Sequence, residues 1–374
     1  MVSFDGTNGA HPLAGLVMDG DGIFYGTTQN GGTNGGYGTV FRVTLDGVQT
    51  TLASFDSSNG ADPAVSLVQG LDGDFYGTAE DGGSFGEGTV FKVTTNGLLT
   101  ALVSFNNSNG QNPIGNLVRG DEGVFCGTTR AGGSNNRGTI FQVTTNGLLT
   151  NLVSFNGTNG AEPSAGLAIG NNGVFYGTTA HGGPNGDGTV FRMTTGGELV
   201  TVASFSGPDG ANPESGLIQD GAGELYGTTV KGGAGYGTVF RVATNGQLST
   251  LVSFNGTNGS LPFASLAFGK DGHLYGTTVY GGNGFNGNAY SGNGVVFRLT
   301  LVPQITLESQ FDRSKGLILL ASGLTGHGQV ILQVSSNLVD WAPTQTNPPV
   351  VGCLMFQDAS VTNRPVQFYR VLQQ

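Results

Sequence analysis

The sequence predicts an all-β fold, a six-bladed β-propeller with four-stranded blades followed by a small β-sandwich. A Ser-Phe pair recurs in steps of 51, 50, 50, 50 and 49 residues, and a period near 50 favours a propeller or a solenoid. Each unit holds short apolar runs separated by Asn-Gly or Asp-Gly turns, which are hairpin signals, and no run has a helical period. The repeats end near residue 302, so we predict a propeller over residues 1–302 and a second domain over residues 303–374.

The fourth unit shows how the strands of one blade are predicted. Apolar or β-branched runs fall at 165–169, 174–179, 189–194 and 199–205, with Gly-containing turns between them. Four antiparallel strands in about 50 residues make one propeller blade. The third run is apolar on both faces, which a sheet packed between two neighbouring sheets requires.

The chain opens in the middle of a unit, because Met1–Phe4 matches Leu152–Phe155. Either a leader is missing from this sequence, or a fragment begins at an internal methionine. The sixth unit stops on a third strand, Val295–Thr300. We therefore expect Val2–Phe4 to pair with that strand and to close the ring, which leaves no exposed sheet edge.

The segment after Pro303 contains less glycine and the single tryptophan, Trp341. Apolar runs at 317–320, 330–334, 353–356 and 366–370 predict a small immunoglobulin- or fibronectin-like sandwich. Because a domain of about 70 residues has a thin core, we expect it to lean on the propeller.

The charge and the apolar content of the chain disfavour some classes of binding partner. The net charge is −11, and the last 72 residues carry four acids and four bases, so the whole excess belongs to the repeats. An acidic surface disfavours nucleic acid. No apolar run approaches the ~20 residues that span a membrane, and we expect a monomer. Cys126 and Cys353 are expected to be two buried free thiols rather than a disulfide.

The unit resembles the GloVer tandem repeat, named for Gloeobacter and Verrucomicrobia, in its Ser-Phe, Tyr-Gly-Thr-Thr, Gly-Gly and Gly-Thr-Val-Phe-Arg-Val-Thr motifs. The resemblance covers all six units. It implies an exported bacterial protein, often anchored at its C-terminus by a sorting signal, with no established activity. The segment from Leu332 to Trp341 and the Phe368-Tyr369-Arg370 motif resemble a small module at the ends of secreted proteins from such bacteria. The implied location is extracellular or the cell surface.

Strand alternation places the two long connections of every unit on one end of the blades, opposite the short turns. Function sits preferentially on such loops. Residues there vary while the frame repeats, and the sixth loop alone is enlarged, over 283–293. Drift of solvated loop residues explains this variation as well as a ligand site does. The candidate ligand-binding residues are His11, Asp62, Asn112, Glu162, Asn212, Glu80, Arg130, His181, Lys231, Tyr280, Phe285 and Tyr290.

No cofactor, metal or catalytic residue is predicted. Asp19-Gly20-Asp21-Gly22 suits calcium by its alternating oxygens, but Ala222 at the position of Asp21 cannot ligate, so a plain hairpin turn is favoured. A glycosidase needs two carboxylates ~5–10 Å apart, and Asp62 and Glu162 come from different units. We therefore expect a non-enzymatic binding or adhesion protein that recognises carbohydrate or a cell-surface protein. The alternatives are a glycan-cleaving enzyme with acidic residues at the channel mouth, or a purely structural envelope protein.

Overall fold

The computed structural model describes residues 2–120, 123–301, 306–312, 316–325, 329–336, 339–348, 351–358 and 368–373. In these residues the structure consists of β-strands and contains no α-helix. None of the described segments is a helix long and apolar enough to cross a membrane. One compact unit comprises Met1–Ile218, Tyr226–Ser265 and Thr278–Val295, and a second comprises Gln219–Leu225, Leu266–Thr277 and Val296–Gln374. The predicted domain boundary at residue 302 lies outside the described residues.

The first five repeats each form one four-stranded sheet with its strands in chain order. The first two sheets contain β1 (Val17–Met18), β2 (Phe24–Thr28), β3 (Thr39–Val43), β4 (Gln49–Ser54), β5 (Val68–Gln69), β6 (Phe75–Ala79), β7 (Thr89–Val93) and β8 (Leu99–Ser104). The third and fourth contain β9 (Val118–Arg119), β10 (Val124–Thr129), β11 (Thr139–Thr144), β12 (Leu149–Ser154), β13 (Ala168–Ile169), β14 (Phe175–Thr179), β15 (Thr189–Met193) and β16 (Leu199–Ser204). The fifth contains β17 (Ile218–Gln219), β18 (Leu225–Thr229), β19 (Thr238–Val242) and β20 (Leu248–Ser253).

The all-β prediction of four-stranded antiparallel sheets is thereby confirmed, and the fold is consistent with propeller-like blades. In the fourth repeat the three outer strands begin and end within one residue of the predicted runs. The first strand is only two residues long instead of five. A bulge between Val190 and Phe191, repeated in the other four sheets, was not predicted.

The sixth repeat differs from the closure prediction. Its sheet has three strands, β21 (Ala267–Phe268), β22 (Leu274–Thr278) and β23 (Val295–Leu299), and residues 2–5 form no strand. The predicted pairing of Val2–Phe4 with β23 is therefore wrong for the described residues, and Met1 lies outside them. The side chain of Phe4 nevertheless makes the contact that its equivalents make in other repeats. Its ring packs edge-to-face on Phe41, with the centroids 5.1 Å apart. This contact holds the first residues without a backbone ladder.

The recurrent motifs form the core, as predicted. Phe191 is fully buried, packs on Phe155 at 5.5 Å between centroids, and lies over Gly177, where a Cβ would be 2.4 Å from the ring. The paired threonines of the motifs also bond to each other, with Thr179 Oγ1 and Thr189 Oγ1 2.8 Å apart in the interior. A buried hydroxyl pair satisfies both groups, which explains a threonine at both places. The same pair recurs in the first, third and fifth repeats.

The C-terminal residues form two three-stranded sheets, β24–β25–β28 and β27–β26–β29. Their strands are β24 (Thr306–Asp312), β25 (Gly316–Thr325), β26 (Val330–Ser335), β27 (Ala342–Asn347), β28 (Val351–Asp358) and β29 (Phe368–Gln373). One buried cluster joins Leu319 and Phe356 of the first sheet to Leu332 of the second. Four strands had been predicted; β24 and β27 were missed, and residues 366 and 367 of the last predicted run lie outside the described residues. Cys126 is a buried free thiol as predicted, but Cys353 is exposed.

Candidate functional site

The two long connections of each repeat lie together, as strand alternation predicts. An isolated antiparallel bridge joins the segment before the loop proline to the segment after the second strand in all six repeats. The bridged pairs are Ala10–Asn30, Ala61–Asp81, Gln111–Ala131, Ala161–His181, Ala211–Lys231 and Ser260–Tyr280. We call the surface formed by these connections the long-loop surface.

The residue before each loop proline has the same backbone in every repeat and a different side chain in most. These six residues, which we call the mouth ring, are His11, Asp62, Asn112, Glu162, Asn212 and Leu261, with φ of 55, 56, 51, 55, 54 and 55°. The Glu162 amide donates to the preceding repeat at Arg137, and its carbonyl accepts the amide of Ala180. Hydrogen bonds on both sides therefore hold a left-handed backbone, which Asn, Asp and His adopt more readily than other side chains.

Two side-chain clusters of the mouth ring are mainly amide and carboxylate groups. Asn30 joins His11, at 2.9 Å, to Asp62 of the next repeat, at 3.4 Å. Asn112 likewise donates its side-chain amide to Asp81 of the preceding repeat at 3.1 Å. Each contact crosses from one repeat to the next, so neighbouring repeats share one polar surface.

A third cluster of the mouth ring carries the cations. Arg130 Nε lies 3.6 Å from Glu162 Oε2, and His181 Nε2 lies 4.0 Å from the same oxygen. Asn212 donates to the carbonyl of Ala180 and contacts His181 Nδ1, both at 3.1 Å. The structure therefore brings together four predicted residues, Arg130, Glu162, His181 and Asn212, that lie far apart in the sequence.

A cavity of about 420 Å³ is lined by residues that follow the mouth ring closely in the sequence, and every repeat contributes to its wall. One set of wall residues follows the loop proline immediately, and a second set lies two positions further on. The first set is Leu13, Ala64, Ile114, Glu214 and Phe263. The second set is Gly15, Ser66, Asn116, Gly166, Gly216 and Ser265. A pocket of several hundred cubic ångströms is of the size that holds a small ligand.

Burial raises the pKa of three carboxylates, two on the long connections and one in the cavity wall. Burial, and then the charges of Asp81 and Asp62, raise the pKa of Glu80. Burial and Asp81 likewise raise the pKa of Asp62. The pKa of Glu214 is raised by burial and by Glu162, against the opposing effect of Arg130, His181 and Lys231. Such shifted carboxylates in a cleft are typical of functional sites, although structural networks shift pKa values as well.

The enlarged sixth loop places its two aromatic residues differently. Tyr290 is 66% exposed and packs edge-to-face on Tyr280, with the centroids 5.8 Å apart. Phe285, which the sequence analysis treats as a partner in binding, is half-buried and packs on Tyr236 at 5.5 Å. Its ring also occupies the space above Gly256. Phe285 therefore anchors the loop, and Tyr290 is its exposed aromatic face.

Sequence reasoning missed two wall residues, Glu214 and Phe263. The sequence does contain a signal for Glu214, which is the only charged residue at its position in the six repeats. Of the predicted candidates, Lys231 is exposed and lies within electrostatic range of Glu214. The sixth member of the mouth ring, Leu261, is apolar and buried, so it contributes no polar group.

Metal-ligating side chains do not assemble in the described part of the chain, where no group of three or more His, Cys, Asp or Glu residues could hold an ion. The predicted turn at Asp19 has the geometry of a capped hairpin: its Oδ1 accepts the backbone amides of Asp21 and Ile23, both at 2.9 Å. That carboxylate oxygen is used by the turn itself.

Fold and cavity together define an all-β repeat protein with propeller-like sheets. The family model of the Gloeobacter/Verrucomicrobia repeat matches residues 1–168 and 116–337, and the chain belongs to this family. Comparison with curated protein sequences finds no match.

Several solved structures resemble the fold at low identity. A putative 6-phosphogluconolactonase from Bacteroides uniformis is 16% identical, with 89% of this chain and 98% of that chain covered, at a TM-score of 0.47. An ulvan lyase of a new polysaccharide lyase family is 12% identical, with 86% and 93% covered, at 0.49. A gluconolactonase from Xanthomonas campestris is 14% identical, with 70% and 78% covered, at 0.41. At these values the likeness does not establish a shared activity.

Proposed function

We propose that this protein is an extracellular or cell-surface binding protein, a six-bladed propeller with a C-terminal sandwich, that recognises carbohydrate through its long-loop surface. The observation that carries the proposal is the cavity to which all six repeats contribute wall residues. A rigid frame that repeats its backbone and varies its side chains around one opening is suited to recognition. We propose that the protein acts as a monomer.

The side chains at the opening suit a ligand rich in hydroxyl groups. Asp62, Glu80 and Glu162 carry carboxylates, which accept hydrogen bonds from hydroxyls, whereas the side-chain nitrogens of Asn112 and Asn212 already donate within the protein. Tyr290 adds an exposed aromatic ring on the same surface. Aromatic rings combine an apolar face with a polar edge, so they pack well on sugar rings at a wet surface. A cell-surface protein that carries such glycans is an equally suitable partner.

A glycan-cleaving enzyme is the second candidate, and the environment of Glu214 favours it. Glu214 lines the cavity, burial raises its pKa, and Glu162 is close enough to add to the shift. A carboxyl with a raised pKa is the form that donates a proton to a leaving group. A second carboxylate at the required separation is the further condition for this chemistry.

One experiment separates these functions. The chain is incubated with a glycan array, and in parallel each bound glycan is assayed for new reducing ends. Binding without new reducing ends supports a recognition protein, and their appearance supports a glycan-cleaving enzyme. If no glycan binds and no new reducing ends form, a structural envelope protein remains as the alternative, and the proposal is overturned. Glu214→Gln serves as the control. If Glu214 donates the proton to the leaving group, its replacement by glutamine should abolish cleavage.

A further inference from the structure

We infer that Glu214 and Phe263 form a subsite for one uncharged pyranose residue inside the cavity, an inference that rests on the proposed function. The two residues occupy the same position in neighbouring repeats, directly after the loop prolines Pro213 and Pro262. Both line the cavity. The subsite therefore combines a carboxylate with an aromatic ring on adjacent parts of one wall.

Glu214 is available to a ligand. Among the described residues, none donates a hydrogen bond to its carboxylate and none forms a salt bridge with it, although the side chain is only partly exposed. Burial removes water from this carboxylate, and the charges of Arg130, His181 and Lys231 offset only part of that cost, since its pKa stays raised. Two vicinal hydroxyls of a sugar would supply the missing hydrogen bonds, since an ionised carboxylate accepts with both oxygens.

Phe263 is available as a stacking platform. It is 43% exposed even though it is a large aromatic residue inside a repeat body whose other phenylalanines are mostly buried. Phe263 also lines the cavity, so part of its surface is open to a ligand bound there. The apolar C–H face of a pyranose covers such a ring, which removes apolar area from water.

The second set of wall residues supplies hydrogen-bond donors. Ser66 Oγ accepts the amide of Gly15 at 3.0 Å, and Ser265 Oγ accepts the amide of Gly216 at 3.0 Å, so each hydroxyl still has its own proton to donate. Asn116 Oδ1 accepts the amide of Ser66 at 2.9 Å, which leaves the Asn116 side-chain nitrogen as a donor. These bonds also fix the three side chains, so little order is lost when a ligand binds.

The charges around the opening select against acidic sugars. Five carboxylates face two permanent cations, and the carboxylates are close enough to raise the pKa of one another. These groups are Asp62, Glu80, Asp81, Glu162 and Glu214, with Arg130 and Lys231. A negative field at a cleft lowers the local concentration of anions. An uncharged sugar therefore fits better than a uronate or a sulfated sugar.

Isothermal titration calorimetry of the full chain tests the subsite with two sets of probes, uncharged gluco-, manno- and galacto-oligosaccharides and galacturonate oligomers of equal length. We expect an uncharged probe to bind, and Glu214→Ala and Phe263→Ala each to weaken it about tenfold or more, the effect of a centrally placed contact. Glu198→Ala and Leu148→Ala, two exposed changes on the short turns, are the matched controls and should leave the affinity unchanged. Melting temperatures that are no lower than that of the parent chain in the four variants exclude unfolding as the cause.

The outcomes separate the subsite from the proposed function. If a probe binds the intact chain and both cavity variants equally, the subsite is wrong while recognition by the long-loop surface stands. If galacturonate oligomers bind more tightly than all uncharged probes, the assignment of ligand charge is wrong. If none of the probes binds the intact chain, both the subsite and carbohydrate recognition are overturned.

Discussion

Arg130 reaches across a repeat boundary to Glu162, with its Nε 3.6 Å from the carboxylate oxygen, and half of its side chain is exposed. An exposed ion pair contributes ~0–1 kcal/mol to stability. Arg130→Met is therefore expected to lower the free energy of unfolding by less than ~1 kcal/mol in urea denaturation, yet to weaken glycan binding. The Arg130→Met variant should therefore keep most of its stability while its affinity for the glycan falls.

The control for Arg130 is another cation in the repeats. Lys92 pairs with Asp72 at 3.0 Å and with Asp74 near the short turn of the second repeat, and its side chain is less exposed. Lys92→Met should cost more stability than Arg130→Met and leave glycan binding unchanged. Equal losses of binding in both variants would mean that binding follows general stability, and not the long-loop surface.

The packing of the sheets gives a second prediction. Phe191 is fully buried against Phe155 and over Gly177, so Phe191→Ala opens a cavity in the core. Truncation of a buried phenylalanine costs ~3–5 kcal/mol, and chemical denaturation measures the loss. Phe85→Ala is the control, because Phe85 is 63% exposed in a loop of the second repeat. A loss below ~1 kcal/mol for Phe191→Ala would show that its strand is not covered on both faces.

The repeated motifs made the sheets predictable, but they did not indicate the residues that line the cavity. Strands such as β14 and β15 were predicted because their turns and apolar residues are local signals. The first strand was predicted too long because residues such as Gly15 donate to a neighbouring side chain, Ser66, instead of to a strand. This bond spans 51 residues of sequence, so no local pattern reports it.

Glu214 and Phe263 were missed for a related reason. They stand at the last position of a long connection, directly before the predicted first strand, and an apolar or neutral residue fills that place in the other four repeats. Neither residue was therefore among the predicted ligand-binding candidates. Phe285 was placed among the exposed residues because nothing in the sequence shows that Gly256 leaves room for its ring. Such contacts between distant loops appear only when the repeats are assembled.

Glu214 also gives a prediction about pH. Burial raises its pKa above that of the unfolded chain, with Arg130, His181, Lys231 and Glu162 as the charged groups that face it. Between the two pKa values the folded state binds more protons than the unfolded state, so stability falls as the pH rises through that range. Glu214→Gln should therefore raise the melting temperature at pH 8. The gain should shrink towards zero below about pH 4, where the glutamate is protonated in both states.

The control for this titration is Glu198→Gln, a change at an exposed glutamate of a short turn. Its melting temperature should follow that of the parent chain at both pH values. A gain in the Glu214→Gln variant that is equal at pH 8 and pH 4 would assign the effect to packing, and would contradict the linkage to protonation.

The last prediction concerns the surface that binds. Tyr290 is the exposed aromatic residue of the enlarged loop, whereas Phe285 holds the loop through Tyr236. Tyr290→Ala should weaken glycan binding in calorimetry and leave the melting temperature unchanged, because the ring has little packing to lose. Phe285→Ala should lower the melting temperature as well. Asp46→Ala, in a short turn where Asp46 accepts a hydrogen bond from Thr44, should preserve binding. Loss of binding in Asp46→Ala together with full binding in Tyr290→Ala would assign recognition to the short turns and contradict the long-loop surface.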